Sequence, residues 1–430
     1  TSRCGASSDA RPPPAGATPD AATRKQQYSI VRSSSGRYTV PASASGDFGR
    51  VSAEQVEGSS GSAQSAQGPS GTTDDSGTTD DSGGLNAPPP RHGIDLYCGA
   101  IAAASKDQDR FITVPDVLPG VFFTGVFDGH AQHGGVFAER AAMGLPKLLA
   151  SRLDWFPLNI DPAAPVAAAA GTDSSLLACK TRITKDIETV FVNFQATLTE
   201  EYEVQVKNPL EKARKQMEQS EGVKLPVCLP MMGGTTATTL IAAADLVCVA
   251  WVGDSRGVMC CVDPDTGVVT AQDLTEDHNV ESHAGERERA VAAGGAVVGR
   301  HIAVDEADGM LQTLRSLGDV PHHRDRVVSE VPCVTLLRLN PRRHAFIVLA
   351  SDGVWHHMSS EECVQKIHAA VLEKMAAPAE STKEGLAHYD LLSVVKDFQA
   401  ELEKMIGEKK GNRDDIVMSV VTVLGHDWNY

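Results

Sequence analysis

The sequence predicts an α+β fold, with antiparallel β-sheets at the centre and helices outside. Three observations predict it. Short apolar runs rich in Val, Ile and Phe recur from Ile94 onward. Longer stretches between several of them carry apolar residues at i, i+3 and i+4. Neighbouring runs are joined by tight turns such as Asp263-Pro264-Asp265-Thr266-Gly267, which favours antiparallel pairing over βαβ crossovers.

Taken in order, strands are expected at 121–127, 238–241, 246–252, 258–262, 346–350 and 416–424. Each is a run of four to nine mostly apolar, β-branched or aromatic residues. Helices are expected at 136–150, where Val136, Phe137, Ala141, Leu145 and Leu148 recur at helical spacing, and at 184–219, where Ile187, Val190, Phe191, Phe194 and Leu198 do so. Two further helices are expected at 286–293 and 360–375. Ser359 caps the latter, with Glu361 and Glu362 in its first turn. Insertions are expected near 157–182, around an Ala-rich piece, and near 220–232.

Residues 1–90 have another texture. Only seven of them are Leu, Ile, Val or Phe (Ile30, Val31, Val40, Phe48, Val51, Val56 and Leu85), far too few for a packed core. A tandem SGTTDD repeat fills 70–81, and Pro88-Pro89-Pro90 ends the stretch as a stiff spacer. The expectation is a disordered tail over 1–90, with a short ordered segment at 28–40, followed by one folded domain over 91–427.

The 430 residues carry 39 basic and 56 acidic side chains, a net charge of −17, which opposes attraction to nucleic acid. No apolar run reaches the roughly 18 residues of a membrane helix, so no integral membrane segment is expected. Nine cysteines, an odd number without a CxxC, suit neither a zinc site nor a disulfide framework. Reduced thiols and a cytoplasmic or nuclear location are expected. The first residue is Thr1, so a preceding leader is one of the open possibilities.

The chemistry lies in carboxylates at strand ends. Asp128 follows an apolar run and precedes Gly129 and His130; Asp352 repeats the pattern before Gly353. Asp254 ends another run, Asp107 and Asp109 flank Gln108, and Asp414-Asp415 opens the last run. Such groups cannot converge without a counter-charge, because like charges a few ångströms apart repel. Hard divalent cations with oxygen ligands resolve this, and Mg²⁺ or Mn²⁺ suits the donor set.

Nine short motifs, in order, make this sequence resemble the PP2C (PPM) family of metal-dependent Ser/Thr protein phosphatases. They are KDQD (106–109), VFDGH (126–130), GTTAT (234–238), VGDSR (252–256), EDH (276–278), AAGG (292–295), RSLGD (315–319), SDGVW (351–355) and NRDD (412–415). The resemblance covers about residues 93–425. It implies a four-layer α/β/β/α sandwich, two Mg²⁺ or Mn²⁺ ions per chain with a weak third site, and phosphorylated proteins as substrates. It further implies that Asp128 bridges two ions, that Gly129 gives its carbonyl to the second, and that Asp352 and Asp414 complete the first. Asp109, with Gln108, matches groups holding metal-bound water, and Asp254 with Asp352 would face the third position. His130 matches the residue proposed to protonate the departing Ser/Thr oxygen, while a shared water attacks phosphorus directly. A monomer is expected.

Two departures stand out. Ala104 occupies a position where a well-known relative has an Arg for substrate phosphate, leaving Lys106 as the nearby cation for phosphate binding. His356 stands where many relatives have an Asp for the third ion. The alternative reading is a pseudophosphatase, a binding protein that keeps the fold without turnover. Retention of Asp128, Asp352 and Asp414 argues against it.

Overall fold

The computed structural model describes residues 33–39, 95–103, 106–118, 120–153, 174–208, 211, 233–243, 245–304, 309–376, 391–408 and 414–423. Its main strands are β1 (Ser33–Thr39), β2 (Asp95–Ala103), β3 (Arg110–Leu118), β4 (Val121–Phe127), β5 (Ala237–Ala243), β6 (Leu246–Val252), β7 (Arg256–Val262), β8 (Val269–Asp273), β9 (Cys333–Arg338), β10 (His344–Ala350) and β11 (Ile416–Val423). One sheet runs β1-β2-β11-β10-β7-β8 and the other β9-β6-β5-β4-β3. Every pairing within them is antiparallel.

The helices are α1 (Gly134–Arg152), α2 (Ser174–Tyr202), α3 (Ala284–Ala292), α4 (Asp352–Trp355), α5 (Ser360–Ala376) and α6 (Leu391–Glu408). Four layers result. One core cluster joins the facing sides of both sheets and continues to α1 and α2, through Phe127, Phe137, Leu145, Ile187 and Phe191. A second joins the outer side of the first sheet to α5 and α6, through Phe346, Val364, Ile367, Val394 and Phe398. β11 shows why its sequence is mostly apolar: Val417 and Val421 belong to the first cluster, Met418 and Val420 to the second. A strand covered on both faces loses the polar alternation of a half-exposed one.

The predicted strands stand where the apolar runs place them, and β4 and β6 match their expected limits. The β7–β8 turn forms as its sequence dictates, with Asp263 Oδ1 accepting from the backbone of Asp265 and Thr266 while Gly267 takes φ 69°. Ser359 and Glu362 form a capping box at the start of α5. The Ser359 N–H donates to Glu362 Oε2 at 2.9 Å and the Glu362 N–H to Ser359 Oγ at 3.2 Å. No helix among the described residues is long and apolar enough to cross a membrane.

Two expectations change. The helix expected from 184 starts at Ser174 and leaves α-geometry after Tyr202, where Glu203–Lys207 forms a π-turn. The insertion expected near 157–182 is therefore helical over its last part. Its earlier part, the insertion near 220–232 and Ala104 lie outside the described residues. Inside the short ordered segment expected at 28–40, Ser33–Thr39 is an edge strand paired with Asp95–Ile101; the rest of 1–90 lies outside the described residues. α6 was not foreseen.

Candidate active site

Two minor sheets bring the strand ends together. Gly129–His130 pairs with Gly234–Thr235, which pairs with Leu317–Gly318. A hairpin of 296–298 and 301–303, extended by 310–311, stands beside it. Between them opens a cleft of about 310 Å³, lined by Lys106, Gln108, Asp128, Gly129, His130, Asp254, Asp352 and Asp414. Ala131, Thr236, His301, Met310, Leu311, Gln312 and Thr313 complete the lining. Of the sequence-derived site residues only Asp109 is not in the wall; it sits beneath, 5% exposed, with Oδ2 buried and unpartnered.

Local packing explains these positions. A Cβ on Gly129 would overlap the Gly134 backbone and the Gln108 carbonyl, so only glycine lets the start of α1 close on this turn. The Asp128 backbone is fixed from both sides, its N–H donating to Thr236 Oγ1 at 3.1 Å and its carbonyl accepting from Thr236 N–H at 2.9 Å. Asp352 begins α4 directly after β10. Ser351 ties that point to β11, donating N–H to Val417 O at 3.0 Å and accepting from Val417 N–H at 3.1 Å.

Asp415, not Asp414, is the structural member of its pair. It is 1% exposed, and its carboxylate accepts from the backbone N–H groups of Lys106 and Gln108 at 2.6 Å each. It thereby holds the loop that carries Asp109. Asp414 turns into the cleft, where Lys106 Nζ donates to its Oδ1 at 2.7 Å. The lysine expected to meet phosphate thus neutralises an expected metal ligand here. Arg256 braces the far wall: it pairs with both oxygens of Asp277 at 3.0 and 2.8 Å, donates to Ser360 Oγ at 3.0 Å and stacks on Trp355 at 5.2 Å. His356 lies outside the cleft lining, with a half-exposed side chain whose Nδ1 is 3.5 Å from Asp352 Oδ2.

The electrostatics point to a missing positive charge. Burial raises the Asp128 carboxyl well above its ordinary range, and Asp109, Asp352 and Asp254 push it further. Burial and then Asp415 do the same to Asp109. Burial and then Asp352 push Asp254 up to about 7. Among the described residues, no three His, Cys, Asp or Glu side chains are gathered tightly enough to hold an ion alone. The wall instead offers separated carboxylates and the Gly129 turn, an all-oxygen set without sulfur. That set, with the orphaned Asp109 Oδ2, fits a hard divalent cation whose shell is completed by backbone and water oxygens.

His130 Nε2 lies 2.6 Å from Asp319 Oδ2. Burial alone would lower the imidazole pKa; the Asp319 charge and hydrogen bond override it and raise it. Asp319 and Thr236 are site-shaping residues that the sequence reading gave no role, and Asp415 is one that it did not separate from Asp414. Asp319 and Thr236 stood inside quoted motifs, RSLGD and GTTAT, which were the available signal. Backbone strain marks the same place. Asp107, Ala131 and Asp319, with φ 61°, 62° and 41°, are three of the five non-glycine residues in the left-handed region among those described.

The cleft opens at one end of a sandwich of two antiparallel sheets, and comparison with known proteins finds the same architecture. The model of the family described as Protein phosphatase 2C matches residues 175–388. Protein phosphatase 1L of Bos taurus is 30% identical over 264 residues, covering 60% of this chain and 59% of the relative. Probable protein phosphatase 2C 1 of Arabidopsis thaliana is 30% identical over 281 residues, covering 63% and 56%. The chain thus spans a little over half the length of these relatives. The solved structure of serine-threonine phosphatase 2C from Toxoplasma gondii superimposes with a TM-score of 0.53 at 21% identity, over 77% of this chain and 95% of that one, and shares the fold. Over residues 175–388 the chain matches the protein phosphatase 2C family.

Proposed function

We propose that this chain removes phosphate from phosphoserine and phosphothreonine in proteins, using Mg²⁺ or Mn²⁺. One observation carries the reading: Asp128, Asp254, Asp352 and Asp414 line a single cleft above Asp109, and among the described residues Lys106 is the only lysine or arginine in its wall. Asp128, Asp352, Asp414 and the Gly129 carbonyl would hold the ions, with Asp109 and Asp254 beside them. Bound Mg²⁺ or Mn²⁺ supplies an acidified water and positive charge against the phosphoryl oxygens.

The chain's own groups do the rest. Lys106, held by Asp414 in the cleft wall, would meet the incoming phosphate as a point charge once an ion takes over that carboxylate. With His130 Nε2 held by Asp319, Nδ1 is the nitrogen left to protonate the departing Ser or Thr oxygen. A catalytically silent binding protein would need a lost ligand, and Asp128, Asp352 and Asp414 all face the cleft.

The test is hydrolysis of a phosphothreonine peptide by the full chain. Turnover is expected with Mn²⁺ or Mg²⁺ and none with chelator, and Asp128→Ala or Asp352→Asn should lower kcat by about a hundredfold or more. Ion-independent turnover, or variants within tenfold of the parent, would overturn the assignment.

A further inference from the structure

Asp319 holds His130 from an unfavourable backbone. Its φ of 41° is left-handed, and it follows Gly318 at φ 87°. A non-glycine residue stays there only when its surroundings over-determine it. Three contacts of Asp319 itself contribute. Its N–H donates to Gly233 O at 2.8 Å, its Oδ2 accepts from Ser316 Oγ at 2.6 Å, and the same oxygen meets His130 Nε2 at 2.6 Å. Gly234 has no side chain where this carboxylate lies; a Cβ there would collide with it.

The fourth restraint comes from elsewhere in the chain. Gln195, on α2, is 4% exposed and lies outside all nine motifs. Its Oε1 accepts from the Gly318 N–H at 2.8 Å, and its Nε2 donates to the Gly318 carbonyl at 2.8 Å. One amide thus satisfies both backbone groups of the residue before Asp319. Only an amide of this length does so: a carboxylate lacks the donor, and a thioether lacks both.

We propose that Gln195 is a positioning residue for His130, clamping Gly318 so that the strained Asp319 keeps its carboxylate under His130 Nε2. The inference rests on the reading of His130 as proton donor to the leaving oxygen. Without the clamp, the 318–319 backbone relaxes, the carboxylate leaves the imidazole, and Nδ1 is no longer aimed.

The leaving group separates this role from a merely structural one. A phosphothreonine peptide departs as an alkoxide and needs the proton; p-nitrophenyl phosphate departs as a stable phenolate and does not. With saturating Mn²⁺, Gln195→Met and Gln195→Glu should each lower kcat on the peptide about tenfold or more and on the aryl ester less than about threefold, with KM little changed. Adding Gln195→Met to His130→Ala should cost nothing further. The imidazole ¹⁵N shifts of His130 in the ion-free chain should lose their hydrogen-bonded signature in Gln195→Met. Equal losses on both substrates, no loss on either, or additive losses in the double variant would overturn the role of Gln195. If His130→Ala itself shows no leaving-group preference, the reading of His130 fails instead.

Discussion

Two clusters of buried acid in this molecule obey the same physics, and their pKa values shift in opposite directions. Glu286, on α3, is 5% exposed, and burial alone would raise its pKa. Arg315 at 2.5 Å and Arg289 at 2.9 Å override burial and hold it near 2. In the cleft, burial raises Asp128, Asp109 and Asp254, and the neighbours raise them further because the neighbours are acids. A structural acid is packed with its arginines. A functional acid set is packed without them, and its counter-charge is left to come from outside. Among the described residues, Lys106 on Asp414 is the one lysine or arginine in the cleft wall.

Breaking the first cluster should have the larger effect on stability. Glu286→Gln leaves Arg315 and Arg289 beside a neutral group, with Arg315 Nε already without a partner. A loss of about 2–3 kcal/mol is expected, below the full value for a deeply buried pair because both arginines keep some solvent and their backbone acceptors. Urea unfolding at neutral pH measures it. A change under about 0.5 kcal/mol would mean the pair behaves as a surface bridge.

A pH series sharpens the contrast. His278 stacks on Trp251 at 5.7 Å with both ring nitrogens unpartnered, and burial, then Arg315, lower its pKa to about 3. The unfolded chain takes up this proton near pH 6.5 and the folded chain does not, so stability falls as pH drops below that value. By pH 5 the loss is about 2 kcal/mol, and His278→Phe should remove most of it. Glu286 is silent over that range. Its depressed pKa gives stability that is present above about 4.5 and lost only as pH falls towards 2. Unfolding midpoints at pH 7 and 5 for parent and variant separate the two, and an unchanged slope in His278→Phe would contradict the assignment.

Much of this was legible in the sequence, for reasons that particular residues show. β4 and β6 are apolar at nearly every position because both faces are covered, so their limits could be read directly. The cleft carboxylates were legible because each closes an apolar run beside a glycine. For β1, SSSGRYT, only an ordered segment was legible and not its strand, since an edge strand of polar residues has no periodicity to read. The start of α2 was blurred by the Ala-rich stretch before it, and its pattern became clear only near Ile183. The roles of Asp319 and Gln195 depend on partners 189 and 123 residues away, which spacing along the chain cannot register.

Thermal melting of the parent and Asp128→Asn, each in chelator and in saturating Mn²⁺, tests the central claim that the cleft acids lack an internal counter-charge. Asp128→Asn in chelator should melt at or above the parent, because one mutually repelling acid is gone. Mn²⁺ should raise the parent by about 5 °C or more, as expected for a ligand well above its Kd, and should move the variant little. A variant that melts far below the parent in chelator, together with a parent indifferent to Mn²⁺, would contradict the account.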